Sequence, residues 1–222
     1  MTSEIICIID RSGSMTSMAT EAIGGFNQFL KEQQAIPDDC KLTLVLFDHV
    51  YDVIHNAVNI QNVHELNDSV YIPRGATALY DAMGKALDDA MARIQHEYTT
   101  PPRVAVMIMT DGQENASKNY TKSRLEKFVE DLKKDQWQFI FMSSDLASFD
   151  KDLGTMTIGT MQIGHTSTVG SYYNATAQMS NSIRAYRNMG TVNTSSVYVD
   201  NNGETDHLTV TSKSDSKDKD TN

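Results

Sequence analysis

This sequence predicts a doubly wound α/β domain, on three observations. Short apolar, β-branched runs recur along the chain, among them Ile5-Ile6-Cys7-Ile8-Ile9 and Val104-Ala105-Val106-Met107-Ile108. Such runs, bounded by turn residues, read as strands buried on both faces. Longer stretches between them carry apolar residues at helical spacing. Strands alternating with helices make a mostly parallel sheet covered on both sides. The expected sheet is six-stranded, in the order 3-2-1-4-5-6, with one antiparallel edge strand and helices on both faces.

Glu4 to Asp10 reads as the first buried strand. Met18 to Glu32 places Ile23, Phe26, Phe29 and Leu30 on one side of a helix. Met15 and Met18 are expected to pack beneath it. Lys41 to Asp48 is a second strand, and His49 to His55 returns as the antiparallel edge strand after a tight turn. Thr77 to Tyr98 is a long helix with Leu79, Met83, Leu87, Met91 and Ile94 inward, stopped by Pro101-Pro102. Arg103 to Thr110 is a buried strand, Ser123 to Lys134 a helix, and Gln138 to Met142 a strand. A short helix over Ala147 to Leu153, a short strand over Thr160 to Gly164 and a helix over Thr168 to Tyr186 complete the alternation. Beyond Thr191, Val197-Tyr198-Val199 and Leu208-Thr209-Val210 flank Asn201-Asn202-Gly203 and read as a weak hairpin. The polar run after Thr211 has nothing to bury and reads as disordered.

In such a sheet, ligands bind outside the carboxyl ends of the strands where the strand order reverses. Asp10 and Asp111 stand at those ends. Asp10-Arg11-Ser12-Gly13-Ser14 offers one carboxylate and two hydroxyls at alternate positions, which in an extended segment point the same way. Oxygen-only donors suit a hard divalent cation, Mg²⁺ above all. Arg74-Gly75-Ala76-Thr77-Ala78-Leu79-Tyr80-Asp81 and Thr110-Asp111-Gly112-Gln113-Glu114-Asn115 are the loops expected to meet it. Thr77 also reads as a helix cap, and Asp81 as a first-turn acid favoured by the helix dipole. Asp48 and His49 read as turn residues near the same rim, and Asp145 as the cap of the short helix.

These three loops resemble the von Willebrand factor type A (vWA) domain and its metal-ion-dependent adhesion site. The resemblance lies in Asp-x-Ser-x-Ser after the first strand, Gly-x-Thr-x-Leu-Tyr-Asp-Ala at a helix start, and a strand ending in Thr-Asp-Gly. It covers Glu4 to Arg187 and is most like small bacterial single-domain members. It implies a domain over 1–190 and a C-terminal extension over 191–222. It also implies that Ser12, Ser14 and Thr77 offer hydroxyls to Mg²⁺, with Mn²⁺ as the alternative, while Asp10 and Asp111 hold its waters or bind it. A partner protein's Asp or Glu would complete the shell, so the expected function is protein binding without catalysis.

The competing reading is a Mg²⁺-dependent phosphohydrolase on a similar sheet. Ser12 places a hydroxyl where a haloacid-dehalogenase-like enzyme would carry its second Asp, and the first loop has no lysine. A nucleotide-binding fold lacks support, since neither Gly-x-Gly-x-x-Gly after the first strand nor a P-loop motif occurs. The net charge of −10 argues against nucleic-acid and anionic-membrane surfaces. No run approaches the roughly 18 apolar residues of a membrane span. The chain enters a strand almost at once, without a basic and apolar leader, and its two cysteines, Cys7 and Cys40, read as reduced thiols; a cytoplasmic setting is expected.

Overall fold

The computed structural model describes residues 2–111, 114–143, 161–165, 169–190, 196–199 and 205–208. The expected helix over Ala147 to Leu153, Asp145, Gly112, Gln113 and the polar tail lie outside them. The elements run β1 (Ser3–Asp10), a 3-10 turn (Gly13–Met18), α1 (Ala19–Gln34), β2 (Cys40–Phe47), β3 (Tyr51–Asn59) and a short 3-10 turn (Ile60–Asn62). They continue with α2 (Leu79–Glu97), β4 (Arg103–Thr110), α3 (Lys122–Lys134), β5 (Gln138–Ser143) and β6 (Met161–His165). The last are a helix labelled α4 (Val169–Met189), β7 (Ser196–Val199) and β8 (Thr205–Leu208).

The strand order is β3-β2-β1-β4-β5-β6-β7-β8. Its first five positions, 3-2-1-4-5, follow the predicted order, with β3 antiparallel to β2 at the edge. The sheet then continues past β6 into the hairpin, so it has eight strands where six were expected. β7 pairs parallel to β6, and β8 antiparallel to β7. Four-residue strands are too short for alternation to show which neighbour they join.

Period-2 alternation splits each central strand between two cores. Ile5, Cys7, Ile9, Leu42, Leu44, Leu46, Met107 and Met109 face α1 and α4, meeting Phe26, Phe29, Met179 and Ile183. Ile6, Ile8, Val45, Phe47, Val106 and Ile108 face α2 and α3, meeting Met83, Leu87, Leu125 and Val129. Met15 and Met18 are buried in the first core, as expected. Cys7 and Cys40 are buried free thiols.

Three boundaries differ from expectation for identifiable reasons. The first helix is preceded by a 3-10 turn, which Met15 N–H to Ser12 O (3.0 Å) and Thr16 Oγ1–H to Gly13 O (2.7 Å) hold. β3 outruns His55 because a bulge resets its alternation: Ala57 sits at φ 49° and donates its N–H to Thr43 Oγ1 at 3.0 Å. α2 begins at Leu79 and its N-cap is Ala78, without a side-chain cap. Thr77 therefore does not cap the helix.

Parallel pairing of β1 with β4, down to Ile9 opposite Met109, puts Asp10 beside Thr110 and Asp111. β2 lies on the other side of β1, so this rim is where the strand order reverses.

Candidate metal centre

Asp10 is the last residue of β1 and is fully buried. Ser12 N–H donates to its Oδ1 at 2.6 Å, and Thr110 Oγ1–H to its Oδ2 at 2.6 Å. Tyr71 OH donates to its backbone oxygen at 2.5 Å. The hydroxyls of Ser12 and Ser14 are 2.9 Å apart, and Ser14 Oγ–H donates to Asp111 Oδ1 at 2.9 Å. Four of the five expected site residues thus form one hydrogen-bonded path, Asp10–Ser12–Ser14–Asp111, whose first link is the Ser12 N–H and whose other links join side-chain oxygens.

Extended alternation does not bring them together, contrary to expectation. Only Asp10 belongs to the strand, Ser12 is extended at φ −62° and ψ 169°, and Ser14 lies inside the 3-10 turn. The turn folds Ser14 back over Ser12 and toward Asp111.

Thr77 joins the cluster through backbone. Gly13 N–H donates to Gly75 O at 3.1 Å, and Arg74 N–H to Arg11 O at 2.8 Å, which ties the second loop to the first. Thr77 N–H donates to Asn115 Oδ1 at 2.9 Å, and Thr77 O accepts from Asn115 N–H at 3.0 Å. Its side chain is buried. Gly75 makes the turn possible: it sits at φ +68°, and a Cβ there would lie 2.1 Å from His49 Nδ1. Gly75→Ala is expected to cost about 1–3 kcal/mol in urea unfolding and to displace Thr77.

Arg11, the unspecified position of Asp-x-Ser, turns away from the oxygens. Its Nε donates to Asp48 Oδ2 at 2.9 Å and its Nη2 to Asp52. Arg74 Nε reaches the same Asp48 oxygen at 3.0 Å. Asp48 Oδ1 accepts from Val50 N–H at 2.7 Å, the expected turn role. The arginine clamp on a fully buried Asp48 is additional and was not read from the sequence.

Burial, the largest effect, pushes the Asp10 carboxyl up to about 6; Thr110 and Ser12 pull it down, and the charge of Asp111 adds to the rise. Burial also raises Asp111, against the hydrogen bond from Ser14. Among the described residues no lysine, arginine or histidine forms an ion pair with either carboxylate. One buried and one half-buried carboxylate beside three hydroxyl-bearing residues suit a hard cation. No group of three His, Cys, Asp or Glu able to hold a metal occurs among the described residues.

Asp81 lies in the first turn of α2 as expected, but its carboxylate faces the backbone of residues 118–120 rather than solvent. Thr110, Tyr71, Arg11, Asn115 and Glu114 are the supporting residues that sequence reasoning did not assign. Thr110 is the first residue of the Thr-Asp-Gly signal and Asn115 lies three residues beyond it, the one clue the sequence offered. A groove of about 810 Å³ opens beside Ala78 and Asn115 and runs along α2 between Tyr51 and Tyr120.

No family profile and no curated protein matches the chain. Solved structures do match its fold. The von Willebrand factor domain of the type V pili tip protein Mfa5 from Porphyromonas gingivalis aligns with TM-score 0.60 and 11% identity, over 86% of this chain and 97% of that one. The pilus adhesin SpaC from Lactobacillus rhamnosus GG aligns with TM-score 0.57 and 14% identity, over 81% and 30%. Proximal thread matrix protein 1 from the mussel byssus, solved with a zinc-occupied metal-ion-dependent adhesion site, aligns with TM-score 0.52 and 16% identity, over 80% and 44%. The chain thus spans nearly all of the first and less than half of the other two.

Proposed function

We propose that this chain, whose fold is that of a von Willebrand factor type A domain, is a metal-dependent protein-binding module. Asp10, Ser12, Ser14, Thr77 and Asp111 would hold a divalent cation, Mg²⁺ or alternatively Mn²⁺. The observation that carries the reading is the hydrogen-bonded path from Asp10 through the Ser12 N–H and the Ser12 and Ser14 hydroxyls to Asp111, with the Asp10 carboxylate buried and that of Asp111 half-buried. The zinc-occupied site of the mussel byssus protein supports a divalent metal on this fold.

When bound, the ion supplies an electrophilic position at which a partner's Asp or Glu carboxylate can complete the oxygen shell. The chain's residues divide the remaining work. Ser12 and Ser14 present neutral oxygens at the rim, which leave the cation's charge less compensated than an all-carboxylate cage would. Thr110 and the Ser12 N–H fix the Asp10 carboxylate, so it cannot swing out to meet solvent. Arg11 is held by Asp48 and Asp52, and its positive charge is directed away from the cation position. Negative charge at long range opposes an acidic partner, but salt screens it within about 8–10 Å, and the local ion dominates at contact.

Calorimetry with Mg²⁺ and Mn²⁺ tests the metal, and capture of a partner in Mg²⁺ against EDTA tests its use. We expect saturable metal binding, and a partner released by chelator whose capture fails when its contacting Asp or Glu is changed to the amide. Absence of metal binding at millimolar concentration, or a partner indifferent to EDTA, would refute the reading. Metal-dependent turnover of p-nitrophenyl phosphate abolished by Asp10→Ala would favour the phosphohydrolase instead.

A further inference from the structure

The N-terminus of α2 lacks a side-chain cap of its own, yet two of its first N–H groups find acceptors in another loop. Tyr80 N–H donates to Glu114 Oε2 at 3.0 Å, and Asp81 N–H to Ser117 Oγ at 3.0 Å. Both acceptors belong to the loop that follows β4. A helix leaves its first four N–H groups without internal partners; here another loop supplies acceptors for two of them. Glu114 is itself fixed: Ala116 N–H and Ser117 N–H donate to its Oε1 at 2.9 and 2.7 Å, and Ser117 Oγ–H to its Oε2 at 2.7 Å.

The helix returns the grip. Asp81 accepts from Lys118 N–H at 2.9 Å, Asn119 N–H at 2.8 Å, Asn119 Nδ2–H at 3.0 Å and Tyr120 N–H at 2.8 Å. Partial burial works against ionisation of Asp81, but these donors outweigh it and hold its carboxyl below the usual range. The Tyr120 ring lies against Gly84, where a Cβ would meet its Cδ1 at 2.2 Å. Between these contacts and the site stands Asn115, bonded to Thr77 through both its side chain and its backbone. The loop that begins at Asp111 and the loop that ends at Thr77 are therefore locked together in both directions.

We propose that Glu114, Asn115, Ser117 and Asp81 are positioning residues that fix Thr77 relative to Asp111 and thereby set the metal affinity of the site without touching the ion. The proposal rests on the metal reading above. Partners beyond the ligands tune metal affinity by roughly 10–100-fold in protein metal sites. Asn115 is the informative position, because its Oδ1 faces the Thr77 N–H and removing it leaves every expected ligand in place.

The test compares Mn²⁺ and Mg²⁺ affinity of the wild type, Asn115→Ala and Asn115→Asp by calorimetry, with urea unfolding in EDTA for each. Asn115→Ala is expected to bind about tenfold or more weakly, while Asn115→Asp, which keeps the acceptor, recovers binding. Val129→Ala, a cavity in the α3 core, controls for lost stability and should leave the affinity of the folded protein unchanged. Equal affinity in wild type and Asn115→Ala, or an equal loss in Val129→Ala, would overturn the proposal while leaving the metal site standing. If the wild type binds neither ion, both readings fall together.

Discussion

Asp10→Ala is expected to abolish Mg²⁺ and Mn²⁺ binding in calorimetry, and Ser12→Ala with Ser14→Ala to do the same, each in a protein that still folds. The two variants remove different parts of one assembly. Asp10 supplies buried negative charge, and its loss takes away the attraction that offsets dehydrating a small divalent ion. The serine pair supplies neutral oxygens, and its loss breaks the hydrogen-bonded path from Asp10 to Asp111. The fold should survive because Asp10 is costly to bury: its carboxyl is already pushed up to about 6 by burial. Removal takes away the acceptor of the Ser12 N–H and the hydrogen bond from Thr110, at about 1–3 kcal/mol for a lost buried acceptor, and part of this is recovered as the desolvation of the carboxylate disappears. A circular dichroism spectrum and melting profile like those of the wild type should accompany the lost binding. Undiminished binding in the double-serine variant would show that the ligands are other groups.

The fold was legible where burial is continuous. β1, β2 and β4 are surrounded on both faces, so their sequences are mainly apolar and their ends fall close to prediction. The candidate site was legible for a similar reason, since two of its motifs stand at the ends of adjacent strands, β1 and β4, and the third at the start of the helix between them. The mechanism of convergence was not. A 3-10 turn over Gly13–Met18, rather than strand alternation, places Ser14, and no period in the sequence announces it. The clasp between α2 and the loop after β4 was hidden because its donors are mainly backbone N–H groups, which every residue carries. Arg11 looked like a spacer because only the structure reveals Asp48 and Asp52 beside it. The C-terminal hairpin looked detached because its strands are too short to show a buried face, although they extend the sheet.

Asp48→Ala is expected to destabilise the protein by about 1–3 kcal/mol in urea unfolding, because the buried Arg11 loses its Asp48 partner and keeps only the half-exposed Asp52. Burial decides the size of the effect, and two arginines on one oxygen show how. Arg11 has a side chain 5% exposed and Arg74 one 49% exposed, both bonded to Asp48 Oδ2 at about the same distance. Arg74→Ala should therefore cost only about 0–1 kcal/mol, as exposed pairs do. The pH dependence follows from the same geometry. Burial alone would raise the Asp48 carboxyl, but Arg74, the Val50 N–H and Arg11 hold it below its ordinary value. Its folded pKa is thus lower than its unfolded one, so its contribution is fully present above about pH 4 and is lost as pH falls through the folded value. Asp48→Asn should remove that portion of the acid sensitivity, and a stability–pH curve superimposable on the wild type would contradict the assignment. The damage should also reach the metal. Arg11 O accepts the Arg74 N–H, and Ala78 N–H donates to Asp48 O, so the turn at Asp48 bears on both loops that carry Ser12 and Thr77. A folded Asp48→Asn protein should bind Mn²⁺ more weakly than the wild type, while Arg74→Ala, which spares the buried pair of Arg11 and Asp48, should bind it nearly as well.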